Sequence, residues 1–274
     1  MAIAALDQGT TSTRALRLED DGRAHVVHVA THRQIYPAPG WVEHDPDELV
    51  AALVSGVDAA GDVEAIGLDN QGESCLAWNA ATGEAISPVI VWQDARTDAV
   101  IARLKADGAE PMVLERAGLP LDAYFSATKL AWIVQNMPEA KALLAKGQLR
   151  LGTTDAFFLQ RLTGRAVTDI TTASRTSLMN IHTGAWDETL CDLFGVPIEA
   201  LPPIVPTTGD FGAMAVAGRS IPLVAAMVDQ QAALYGHGCR KAGDTKITVG
   251  TGAFLLMVTG ESVVTAPDEG LLPT

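Results

Sequence analysis

The chain contains no apolar run approaching the roughly 20 residues that a membrane-crossing helix needs. No basic stretch precedes its short N-terminal apolar run, so a secretory leader is not expected. Its three cysteines, Cys75, Cys191 and Cys239, are too far apart for a metal-binding spacing or a disulfide framework, and a reducing, cytoplasmic setting is expected. Basic charge is scarce: 19 Lys and Arg stand against 33 Asp and Glu, a formal net charge of −14. With no long Lys/Arg cluster and no RNA-binding signature, a nucleic-acid surface is excluded. A negative protein can still take a nucleotide if local donors or a divalent cation offset the phosphates. Fixed-period repeats and low-complexity linkers are also missing. What remains is 48% apolar residues in a chain of 274, ample for one large or two ordinary domains.

The first third reads as short strands punctuated by turns. Residues 2–6 form an apolar run ending at Asp7, 13–18 a second strand closed by "EDDGR", and 25–32 a third, the pattern of an antiparallel meander. A helix follows in "HDPDELVAALVSGVDAAG", with Asp45 as N-cap, Pro46 at N1, Glu48 at N3 and Gly61 as terminator. Strands "EAIGLDN", "SCLAWN" and "PVIVW" come next, then helical spacing over 126–137 and 154–162. Near Ile221 an apolar strand returns and stops at Asp229, before a helix start in "QQAALYGHG". The segment 246–259 then reads as strand, glycine turn, strand. This order predicts an α/β layered domain with a mixed sheet and flanking helices.

Several stretches carry chemistry, each with a plainer reading beside it. In "DQGTTSTR", Gly9 permits close backbone approach, Thr10, Thr11, Ser12 and Thr13 offer donors, Arg14 supplies charge, and Asp7 is placed for Mg²⁺. The plain alternative is a turn built from turn formers. "GTGAF", Gly250 to Phe254, suits a second phosphate-facing turn or an ordinary hairpin. Asp229, at a strand end leading into a helix, suits a general base or a helix N-cap. Trp92 and Tyr124 suit a ligand wall or core packing, and Glu73 a ligand group or a solvated turn.

Taken together, these stretches resemble the FGGY carbohydrate kinases, most closely the glycerol kinase branch. The resemblance rests on "ALDQGTTSTRA", "IYPAPGWVEHDPDEL", "IVWQDART", "YFSATKLAWI", "TDITTASRTSLMNIHTGAWD", "DQQAALYG", "VGTGAFLLMVTGE" and "GLLPT", in order along almost the whole chain. It implies an RNase H-like domain of the actin/Hsp70-like ATPase fold, with the active site in a cleft between two such domains. It implies transfer of the ATP γ-phosphoryl to a hydroxyl of a polyol or sugar, with Mg²⁺. By position, Asp7 would serve the metal, and Thr10, Thr11, Ser12, Arg14, Gly250 and Thr251 the phosphates. Asp229 would be the base, and Gln230, Glu73 and Tyr124 would hydrogen-bond the polyol. Trp92 and Phe254 would pack on its carbons.

Two positions depart from that pattern. Glycerol kinases read Asn-Gln-Arg-Glu where this chain has Asn70-Gln71-Gly72-Glu73, and glycine where it has Val228. The missing arginine predicts a larger pocket or weaker glycerol binding, improved by Gly72→Arg. Residues 1–240 are expected to form the substrate-side domain and 241–274 the start of an ATP-side domain. That implies a chain inactive by itself, whose exposed cleft surface favours a homo-oligomer. A non-catalytic polyol-binding or regulatory module, and a kinase of another FGGY sugar such as a pentulose, are the competing readings.

Overall fold

The computed structural model describes residues 2–249, 253–266 and 269–274. The meander forms as expected, with Ile3–Gln8 antiparallel to Ser12–Leu18 and Ser12–Leu18 antiparallel to Ala24–Thr31. On its other side Ile3–Gln8 pairs in parallel with Ala65–Asn70, which pairs in parallel with Arg219–Val228. Ala213–Val216 closes that edge antiparallel. The spatial order of the five longer strands is third, second, first, fourth, fifth, the mixed sheet of an RNase H-like domain.

Helix Pro46–Ala60 covers one face. Asp45 caps it by accepting from the backbone N–H groups of Asp47 and Glu48, and Gly61, at φ 68°, ends it. Leu49, Leu53 and Val57 are fully buried against Leu6, Ala15, Ile66 and Leu68. Gly56 permits this close approach: a Cβ there would stand 3.0 Å from Ala15 Cβ and 3.2 Å from Leu6 Cδ2. Helix Thr154–Thr163 contributes Phe157 and Phe158 to the same cluster, with Trp78 edge-on to Phe157. Gly164, in the left-handed region at φ 80°, stops it.

A second sheet, in the order Glu43–His44, Val89–Ile90, Cys75–Asn79, Leu149–Thr153, separates this cluster from another. That other cluster collects Leu130 and Ile133 of helix Ser126–Asn136 with Val113, Leu119, Leu190 and Phe194. Of "PVIVW" only Val89 and Ile90 pair, so Trp92 lies beyond the strand rather than at its end. Helices Asp98–Ala106, Glu110–Ala117, Pro138–Leu144 and Glu188–Phe194 went unread in the sequence. Each spans two or three turns and buries only two or three residues, too few to set up a period.

Strand Arg219–Val228 runs directly into helix Asp229–Gly236, whose N-cap is Val228. The capping alternative for Asp229 is thereby corrected: it is the first helical residue. Thr245–Val249 and Ala253–Met257 pair as a hairpin, with Ile247, Val249, Leu255 and Met257 exposed. Gly250 and Thr251, expected at its turn, lie outside the described residues. No helix among the described residues is long and apolar enough to cross a membrane.

Candidate active site

Parallel pairing brings three carboxylates to one edge of the main sheet. Asp7 is in register with Asp69, Asp69 with Met227, and Asp229 follows one residue past the end of that third strand. Asp69 was not singled out from the sequence, although the signal was there. An apolar strand ends in Asp followed by an amide three times, as "LDQ", "LDN" and "VDQ".

Burial and the charges of Asp7 and Asp229 push Asp69 up to about 8. Burial, then Glu73 and Asp7, push Asp229 up to about 6, against the lowering effect of the Gln230 backbone N–H. The Asp69 carboxyl hydrogen-bonds to that of Asp7, while its Oδ1 is buried without a donor from any other group. An orphaned acceptor among like charges suits a hard cation. No group of three or more His, Cys, Asp or Glu among the described residues is arranged to hold a metal by itself.

Without a cation Asp69 holds its proton at neutral pH, and its raised pKa makes folding stability fall as pH rises between about 4 and 8. Asp69→Asn keeps the shape without the carboxylate. It should raise the melting temperature at pH 7 by a few degrees and flatten the fall in stability between about pH 6.5 and 8 in metal-free thermal melts.

The hairpin following Asp7 is pinned from behind. Gly9 N–H donates to Ser12 C=O at 3.0 Å, and His32 N–H to Thr11 C=O at 3.0 Å. Gln34 Nε2 donates to Thr10 C=O at 3.0 Å, and the Trp92 indole N–H to Thr10 Oγ1 at 2.9 Å. Arg14 reaches Asp7 at only 3.5 Å and is more than half exposed, leaving its guanidinium accessible. His44, from "PGWVEHDP", is buried behind the hairpin, paired with Gln34 Oε1 at 3.0 Å and accepting from Gln71 Nε2 at 3.4 Å. Burial, then neighbouring His32, hold it down at about 4.

A native histidine that refuses a proton loses stability to the unfolded chain as pH falls from about 6.5 to about 4. The loss approaches about 3 kcal/mol at the acid end. His44→Gln should flatten urea-derived stability across that window, and an unchanged slope would show that another group sets it.

Three of the residues expected at a polyol, Glu73, Trp92 and Tyr124, come together. Trp92 and Tyr124 pack edge-on with ring centroids 5.4 Å apart, and the Tyr124 hydroxyl is hydrogen-bonded to Glu73, with burial and the Glu73 charge raising its pKa. Glu73 is buried rather than a solvated turn residue, and it stands in the left-handed region at φ 57°. Such a conformation in a non-glycine costs on the order of 1 kcal/mol and persists where neighbours fix it. Ser126 Oγ donates to the Glu73 carbonyl at 2.8 Å, and Arg175 Nε donates to Glu73 Oε1 at 2.7 Å.

Lys129, from "YFSATK", is fully buried and donates to the carbonyls of Tyr124 at 2.8 Å and Trp92 at 3.2 Å, so a single ammonium joins the two walls. Burial lowers its pKa to about 8. Neither Lys129 nor Arg175 was assigned a role from sequence, though both lie in stretches that carry the resemblance.

The described contacts of two other expected residues lie with the second hairpin. Gln230 Oε1 accepts from Lys246 Nζ at 3.1 Å, toward the second hairpin. Phe254 sits on that hairpin, in register with Thr248, and among the described residues makes no ring contact with Trp92 or Tyr124. The space beside Gly72 also departs from expectation. A Cβ there would stand 2.7 Å from Val228 Cγ2, so Val228 already fills the room that a larger pocket would have gained. Gly72→Arg alone must displace a stiff β-branched side chain, and the expected gain in glycerol binding does not follow from it.

An RNase H-like sheet with acidic residues at adjacent strand ends, a donor-rich hairpin and a walled carboxylate pocket belongs to a domain of the actin/Hsp70-like fold. The FGGY family of carbohydrate kinases, N-terminal domain, matches residues 2–236, and the chain belongs to this family. It is 44% identical over 286 residues to the glycerol kinase of Paracidovorax citrulli, covering 99% of this chain and 56% of the relative. With the glycerol kinase of Methylobacterium nodulans the identity is 47% over 279 residues, covering 97% and 56%. The chain thus spans about half the length of the curated relatives it matches.

The crystal structure of Plasmodium falciparum glycerol kinase with ADP superposes with a TM-score of 0.90 at 33% identity, covering 96% of this chain and 55% of that one. Ligand-bound xylulose kinase from Lactobacillus acidophilus, at 22% identity and a TM-score of 0.83, shares the fold.

Proposed function

We propose that this chain is the acceptor-binding part of an ATP-dependent kinase that phosphorylates a small polyol, with glycerol the first candidate. The observation that supports this most is the meeting of two groups at one sheet edge: Asp7, Asp69 and Asp229 beside Glu73, Tyr124 and Trp92. Asp229, ionised near neutral pH, takes the proton of the attacking hydroxyl. Glu73 and the Tyr124 hydroxyl orient the other hydroxyls, while the Trp92 and Tyr124 rings cover the carbons. The hairpin from Gly9 to Thr13, with Arg14, presents donors to the phosphates of ATP. Bound Mg²⁺, held by Asp7 and Asp69 with water and phosphate oxygens, would neutralise charge on the transferring phosphoryl group.

The glycerol relatives, at 44% and 47% identity, favour a triol over the pentulose suggested by the more distant xylulose kinase. Calorimetric titration of the chain with glycerol, xylitol and D-xylulose tests the reading. Glycerol is expected to bind tightest, preference for the pentulose would move the chain to another branch, and no binding by any would overturn a polyol site.

A further inference from the structure

Arg175 has no part in the expected chemistry, yet its side chain lies in the acceptor pocket. It comes from the segment after the short helix Ile170–Ala173, a hundred residues away from Glu73 in sequence. Its side chain is 16% exposed and that of Glu73 6%, so the pair is largely shielded from water. Only Nε is used: it donates to Glu73 Oε1 at 2.7 Å. Neither Nη group makes a hydrogen bond among the described residues, and neither is sealed from solvent. The guanidinium carbon sits 5.3 Å from the centroid of the Phe125 ring, which limits how it can turn. Arg175 Cγ is 3.7 Å from the point where a Cβ on Gly72 would stand, and Val228 Cγ2 is 2.7 Å from that same point. Two side chains from distant segments therefore occupy the space beside a residue that has none.

We propose that Arg175 grips an acceptor hydroxyl directly and, with Val228, sets the acceptor as a short polyol with adjacent hydroxyls. The inference rests on the polyol-kinase reading above. A hydroxyl is both donor and acceptor. Glu73 offers an acceptor and the Nη groups of Arg175 offer donors at its side, so a single hydroxyl can donate to the carboxylate and accept from the guanidinium. The planar fork, anchored through Nε, holds its remaining donors in fixed directions, which a lysine ammonium cannot reproduce. Val228 closes the adjoining space with methyl groups. A longer chain would have to displace them, whereas a three-carbon acceptor would not.

The test is calorimetric titration of the chain and of Arg175→Lys with glycerol, 1,2-propanediol and 1,3-propanediol. Arg175→Lys keeps a cation beside Glu73 and is expected to retain the wild-type near-ultraviolet circular dichroism. It should bind glycerol at least about 10-fold more weakly, the loss typical of one charged hydrogen bond. The decisive readout is the pattern across the diols. Removing one particular hydroxyl should weaken binding to the wild type but leave binding to Arg175→Lys nearly unchanged, because that hydroxyl has already lost its partner. Equal losses for all three ligands would mean that Arg175 only supports the fold of the pocket, and unchanged glycerol affinity would mean that it does nothing there; either overturns the inference alone. If Arg175→Lys does not fold, Arg175→Gln, which keeps a donor without charge, takes its place against the same criteria. Failure of the wild type to bind any of the three would instead remove the polyol reading, and this inference with it.

Discussion

Asp229→Asn, in a protein extended to the length of its relatives, should lower kcat by about 10²-fold or more while the fold persists. The side chain sits one residue past the end of a buried strand, at the start of a helix whose amide dipoles favour its charge. Burial and the neighbouring carboxylates outweigh that influence and bring it up to about 6. At pH 7 it is mostly ionised, yet basic enough to accept a proton from an alcohol as the new O–P bond forms. Asparagine preserves the shape and cannot accept that proton. The same position predicts an acid limb in the pH–rate profile near pH 6, with the rate rising as the carboxylate ionises and then levelling. Near-normal turnover in the variant, or a rate flat from pH 5 to 7, would falsify the assignment of Asp229 as base.

The second large effect concerns the pair Gly72 and Val228. Gly72→Arg alone should destabilise the chain by roughly 1–3 kcal/mol, the range for forcing extra volume into a packed site. The clash is with Val228 Cγ2, 2.7 Å from the new Cβ, and valine has little rotamer freedom with which to yield. Val228→Gly alone should also destabilise, through lost packing and added backbone freedom in the unfolded chain. Combined, the two should cost less than their sum, with an interaction of about 0.5–3 kcal/mol in their favour. Urea titration of the four proteins measures it. Strict additivity would show that the two positions do not share one space, and Val228 would then no longer limit the acceptor.

Much of this was legible in the sequence for a physical reason. Alternating strands and a fully signalled helix, Asp45 to Gly61, are local patterns, and the structure keeps them. Glu73, Trp92 and Tyr124 were singled out individually and do converge. What the sequence hid was pairing across long separations. Asp69 becomes part of the acidic edge only through the parallel register with Asp7, 62 positions away, and Arg175 joins Glu73 from 102 positions away. Gly72 and Val228 looked like two unrelated departures, because nothing local says that one side chain fills the other's space. Gln230 and Phe254 illustrate the opposite limit: their roles were carried over by position, and their described contacts lie with the second hairpin.

The acidic edge also limits how descendants of this chain can vary in length. Side chains alternate faces along a strand, so one residue inserted within Ala65–Asn70 would turn Asp69 to the opposite side of the sheet and break its alignment with Asp7 and Asp229. The turn from Glu19 to Arg23 is different. It is solvent-facing, lies at the far end of the strands it joins, and carries a glycine at φ 82° followed by Arg23, whose side chain pairs with Asp21. Insertions and deletions should therefore accumulate at that rim, while the three acid-bearing strands keep their residue count even where most of their side chains have been exchanged.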